Sequence, residues 1–98
     1  MKISEMLNSP DIETVNLGLR ALKGTNYKNW IMSNMGRLPF NASKDGYQLA
    51  ILADEGKSVR FMIHISYLAD CIINDEMDIP LSIADCVIAI KKFEDENL

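Results

Sequence analysis

His64 is the chain's single histidine, and Cys71 follows it at a spacing of seven residues. On a helix that spacing is two turns along one face, where a thiol and an imidazole could meet. A Cys–His nucleophile also needs a group that orients the base, and the face shared by these two residues is otherwise apolar. The pair therefore reads as a core histidine beside a core thiol. Zinc would want three or four Cys or His ligands at motif spacing, and His64, Cys71 and Cys86 are the only such residues present. Asp75, Glu76 and Asp78 cluster like calcium ligands, but the glycine and closing glutamate of an EF-hand loop are missing. A solvated turn accounts for them. Gly36, Gly46 and Gly56 fall in separate turns and make no phosphate cradle. Neither enzymatic activity nor a metal or other cofactor is expected.

A second group of residues concerns binding. Arg20, Lys23, Lys28, Arg37 and Lys44 follow one another with no acidic residue between them, interleaved with Tyr27, Trp30 and Phe40. Cations and aromatics together are the ingredients of a surface that tracks and stacks on single-stranded nucleic acid. The chain as a whole is acidic, with net charge −4 and a pI near 4.8, and Tyr27 and Trp30 fall on an apolar helical stripe. Nucleic acid is accordingly disfavoured. Residues 1–60 carry eight Lys/Arg against six Asp/Glu, whereas residues 61–98 carry two against eight. That polarity can orient a partner or drive head-to-tail self-association. Six methionines complete the set; Met32 and Met62 lie off the core stripes, and exposed methionine makes an adaptable contact surface.

The elements that would position these residues are mostly helical. Ile3, Met6 and Leu7 mark a short first helix. Asn8-Ser9-Pro10-Asp11 is a stop and restart, with Ser9 as cap and Pro10 in the first position of the next helix. Ile12, Val15, Leu19 and Leu22 recur at helical spacing up to Gly24, which suits a left-handed exit. Thr25 or Asn26 can cap a third helix with Tyr27, Trp30, Ile31 and Met35 facing inward. Gly36 to Gly46 has the composition of the longest loop, with Leu38 and Phe40 tucked against the body. Residues 47–73 admit two readings. A hairpin at about 47–67 would alternate Tyr47, Leu49, Ile51 and Ala53 with Val59, Phe61, Ile63, Ile65 and Tyr67. A helix ending at Gly56, then a long buried helix from Ser58 to Ile73, fits the length of the second run better. Pro80 or Ser82 opens a last helix carrying Ile83, Val87 and Ile90, and residues 94–98 form a frayed acidic tail.

These elements predict an all-α fold, a compact bundle of five or six short helices forming a single domain over residues 1–98, with the α+β hairpin as the alternative. The chain is 98 residues long, 48% hydrophobic and 24% charged, which is ordinary for a globular domain. No run approaches the roughly 20 apolar residues of a membrane span, and no targeting segment is visible. Two cysteines inside apolar segments fit reduced core positions. A cytoplasmic protein is expected, with no membrane partner.

Residues 3–24 resemble a HEAT-type helical hairpin. The features that carry the resemblance are Pro10-Asp11 in the turn, Glu13 and Val15 after it, and Ala21-Leu22 ahead of Gly24. Asn16 stands where that pattern usually has a basic residue. Such hairpins usually serve protein binding, which is what the resemblance implies here.

With the chemical options weakened, protein–protein interaction is the expected role: a small acidic regulator or adaptor, or an inhibitor acting by occlusion, in the style of compact bacterial or phage genomes. The expected partner-binding face joins the second and third helices through Arg20, Lys23, Tyr27, Lys28 and Trp30, with Asp75, Glu76 and Asp78 as its electrostatic counterpart. The partner is another protein, with a homo-oligomer possible. The alternatives are a self-assembling subunit of a larger particle and a nucleic-acid or small-ligand binding module.

Overall fold

The computed structural model describes residues 1–65, 69–74 and 80–97, with the strand residues from 61 to 80 described as backbone. Five α-helices are present among them: α1 (Ile3–Leu7), α2 (Ile12–Lys23), α3 (Tyr27–Asn34), α4 (Phe40–Asp54) and α5 (Ile83–Asn97), with a 3-10 turn at Met35–Arg37 between α3 and α4. They pack as the compact helical bundle that the periodicity predicts, with a radius of gyration of 12.0 Å. Beside it stand β1 (Val59–Ile65), β2 (Ala69–Asn74) and β3 (Pro80–Ser82), an antiparallel sheet in the order β1-β2-β3.

The apolar stripe of α2 forms as expected, with Val15, Leu19 and Leu22 buried. Its start differs. Asp11 is the N-cap residue, and its amide donates to the Ser9 hydroxyl at 3.1 Å while its carboxylate accepts from the Thr14 hydroxyl at 2.8 Å. Pro10 thus lies outside the helix. Gly24 ends α2 in a right-handed conformation, φ −77°, so no left-handed exit is used there. Gly56 does take that conformation, φ +73°. The Lys57 amide reaches back to the Leu52 carbonyl at 2.9 Å and the Gly56 amide to Ala53 at 3.1 Å, the paired bonds of a Schellman close to α4.

The stretch expected as a loop is largely helix, since α4 begins at Phe40. Its small and polar residues serve tertiary contacts rather than turns. The Ser43 hydroxyl donates to the Met35 carbonyl at 2.6 Å, and the buried Asp45 carboxylate accepts the Ser82 amide at 3.0 Å. At Gly46 an added Cβ would stand 2.8 Å from both the Tyr27 hydroxyl and the Ala89 side chain. Glycine is required there by close helix approach.

Of residues 58–73, favoured as one long helix, 59–65 form β1 and 69–73 belong to β2. The run is too long for one strand but ordinary for two, and its β-branched and aromatic residues suit a pleated surface. The hairpin alternative was therefore shifted: residues 47–54 are helical, and the pairing runs from Ile65↔Ala69 to Val59↔Asn74, with a register shift between Val59 and Phe61. Pro80 opens β3, which pairs with β2 alone in the sheet order, a position that tolerates the missing amide. Asn16 secures the start of β1. Its amide nitrogen donates to the Val59 carbonyl at 3.2 Å, and its oxygen accepts the Val59 amide at 2.9 Å. The departure from the HEAT pattern at this position thus has a structural use.

One hydrophobic cluster takes side chains from every helix and from β1 and β3. α5 continues to Asn97 instead of fraying, because its acids are engaged. Glu94 is buried and accepts the Ser4 hydroxyl at 2.7 Å, tying α5 to α1.

Gly46→Ala is expected to lower stability by about 1–3 kcal/mol, as overpacking does. Gly36→Ala meets nothing within 4 Å and should be neutral or stabilising. Thermal and urea unfolding of the two variants check the contrast, and equal effects would contradict the close approach. Asn16→Ala strands two backbone groups at the sheet margin and should cost about 1–3 kcal/mol, with faster hydrogen exchange at the Val59 amide.

Candidate protein-interaction surface

The expected binding face does not survive as a unit. Arg20 and Lys23 are exposed at the end of α2, but Tyr27 and Trp30 belong to the interior, at 1% and 8% exposure. Both are corrected from partner-binding to core residues. Tyr27 and Trp30 stack with centroids 6.2 Å apart, and Phe93 of α5 meets them edge-on at 5.3 and 5.5 Å. Such pairs contribute about 0.5–1.5 kcal/mol beyond their area burial, which favours the three rings together over two rings in water. The polar tips of both residues are also used. The Tyr27 hydroxyl donates to the Gly46 carbonyl at 3.1 Å, and the Trp30 indole nitrogen donates to Glu96 at 3.2 Å. Burial, with a smaller contribution from Cys86, pushes the Tyr27 phenol far above its ordinary range, so it stays a neutral donor.

The basic stretch is likewise partly neutralised by elements distant in sequence. Lys28 pairs with Asp54 of α4 at 3.0 Å, and Arg37 pairs with Glu96 of α5 at 2.6 Å. Lys92 adds a longer contact to Glu96 at 3.9 Å. The hydrogen bond and charge of Asp54 raise the Lys28 ammonium above its ordinary value, and Glu96 does the same for Arg37. Arg20, Lys23 and Lys44 make no ion pair with a described residue. Asp75, Glu76 and Asp78 lie outside the described residues.

A different surface emerges at the elbow between α3 and α4. Phe40, expected to tuck inward, is 77% exposed, and Met32 and Met35 are 54% and 36% exposed. Only Leu38 packs partly against the core. Met35, Leu38, Phe40 and Tyr47 line a recess of about 540 Å³, with Lys44 as the one charged residue on its wall. Pro39 explains the protrusion of Phe40: it takes an extended conformation, φ −54° and ψ 149°, and turns the chain into α4 with Phe40 as the first helical residue. The off-stripe position of Met32 signalled its exposure, whereas the loop composition of residues 36–46 gave no sign that Phe40 protrudes.

The register pairs His64 with Asp70 and Ile63 with Cys71, so His64 and Cys71 do not face each other across the ladder. The buried Cys86 thiol donates to the Asp45 carbonyl at 3.6 Å. Among the described residues no His, Cys, Asp and Glu group could hold a metal ion, and no helix is long and apolar enough to cross a membrane. No known protein family, curated protein or solved structure matches the chain.

The Arg37 hydrogen bond, helped by the Trp30 indole, holds the Glu96 carboxyl below its ordinary value of 4.5. A depressed carboxyl contributes stability that is fully present above the ordinary value and lost as pH falls through the lower folded one. Fluorescence of Trp30, the only tryptophan, should therefore be flat above pH 4.5 and change on further acidification. Glu96→Gln keeps an acceptor for the indole and should remove that step. A step that persists unchanged in the variant would assign it to another group.

Proposed function

We propose that the chain is a small protein-binding regulator or adaptor, acting by occupying a surface of a partner protein. The exposed apolar elbow carries this reading. A phenylalanine left in water beside the exposed Met35, over a recess lined by further apolar side chains, is costly for a monomer and typical of a binding site. Methionine adapts to the shape of what it meets, and a protruding aromatic is the usual anchor of an interface. Lys44 on the recess wall, which makes no ion pair with a described residue, favours a partner segment with an apolar side chain next to a carboxylate. The HEAT-type resemblance of residues 3–24 points toward protein binding as well. Occlusion suits so small a chain, because covering a partner's surface needs no catalytic group of its own.

Burying one phenylalanine contributes about 1.5–3 kcal/mol, so Phe40→Ser should weaken partner binding by roughly ten- to a hundredfold. Leu17→Ser, at a second exposed apolar position, serves as the control for general stickiness. The test immobilises the whole chain, quantifies proteins retained from the native cell extract, and repeats the capture with both variants. One protein held in fixed ratio, lost with Phe40→Ser and kept with Leu17→Ser, is the expected result. If nothing retained depends on Phe40, the elbow is not the binding surface and the reading fails.

A further inference from the structure

A second feature, away from the elbow, joins residues that sequence reading placed on a protein-binding face. Arg20 and Lys23, three apart at the end of α2, open onto a small cleft whose other wall is the turn after α4. Lys57 and Ser58 line that wall, Asn16, Leu19 and Ala53 close the floor, and no carboxylate lines the cleft. Gly56 makes the turn in this wall. Its φ of +73° suits glycine, and the Lys23 ammonium lies 3.8 Å from where a Cβ would be. The cleft encloses about 70 Å³.

Helices α2 and α4 both end at this cleft, and cations are favoured at helix C-termini. Each terminus supplies roughly half a negative charge, so the two together offset about one cation. Arg20 and Lys23 bring two, neither ion-paired with a described residue. Asp54 is taken by Lys28, and Glu55 is exposed and off the cleft wall. Local positive charge thus survives in a chain whose net charge is −4.

We propose that this cleft binds a phosphate group, as the free anion or as a small phosphate monoester. The guanidinium of Arg20 offers a flat fork of donors matched to two phosphate oxygens, while the Lys23 ammonium acts as a point charge. The Ser58 hydroxyl supplies a neutral donor. The volume admits a tetrahedral anion and leaves any larger group outside.

The test is a heteronuclear NMR titration of the whole chain with sodium phosphate, against sodium chloride at matched ionic strength. Saturable shifts at the Gly56, Lys57 and Ser58 amides with phosphate, and not with chloride, are expected. The Arg20→Gln, Lys23→Gln double variant should bind at least about tenfold more weakly. Lys91→Gln, exposed on α5 and outside the cleft lining, should bind as the parent does. Should the double variant lose its native spectrum, Lys23→Gln alone takes its place. Phenyl phosphate distinguishes the sources: equal binding assigns a monoester with its organic group outside the cleft, and binding of inorganic phosphate only assigns the free anion. Shifts that match those in chloride, that never saturate, or that weaken equally in Lys91→Gln would overturn the proposal.

Discussion

Three helices converge at Gly46, where the absence of a side chain lets the Tyr27 hydroxyl and the Ala89 methyl approach the α4 backbone. The Tyr27 hydroxyl donates to the carbonyl of that same glycine at 3.1 Å, so one contact both positions α3 and satisfies a buried polar group. From this point Tyr27, Trp30 and Phe93 spread as a ring cluster between α3 and α5. Any Cβ at Gly46 would push α3 or α5 outward. The orientation of both helices, and with it the elbow that follows α3, depends on this junction.

Carboxylates then act as staples around the junction. Asp45, one residue before Gly46, holds the Ser82 amide at the entry to α5, and the Ser82 hydroxyl in turn accepts the Asp85 amide at 3.3 Å. Glu94 binds Ser4 of α1, and Glu96 gathers Trp30, Arg37 and Lys92. Burying a carboxylate is costly unless its oxygens are bonded, and among the described residues no buried side-chain polar atom lacks a partner. Acidic residues near the end of α5 thus hold the first and third helices in place. Much of the chain's negative charge is used internally.

Two surfaces are left over from this economy. At the elbow, packing faces α3 and α4 inward at Ile31 and Leu49 and leaves Met32, Met35 and Phe40 in water. At the far end of α4, two helix termini and a glycine turn meet Arg20 and Lys23, which make no ion pair with a described carboxylate. The first is apolar with one charge, the second charged with little apolar area. They suit different ligands, a protein segment and a small anion.

Helices α1, α2, α3 and α5 were legible from apolar spacing, because each carries a stripe that must face a core. Ser82 ahead of α5 and Gly56 after α4 were legible from their own conformational chemistry. The beginning of α4 was not, since Gly46, Ser43 and Asp45 look like loop residues until the neighbours that use them are known. The pairing of residues 59–65 with 69–74 depended on a partner strand, which no local pattern supplies. The same holds for the surfaces. Sequence spacing alone put Tyr27 and Trp30 on an apolar stripe, but whether that stripe met solvent, a partner or Phe93 was decided by α5, more than sixty residues away. The sequence by itself determined which segments are amphipathic and where the cations lie. Tertiary structure decided which cations are neutralised and which aromatic stays exposed, because both depend on contacts between residues far apart in the chain.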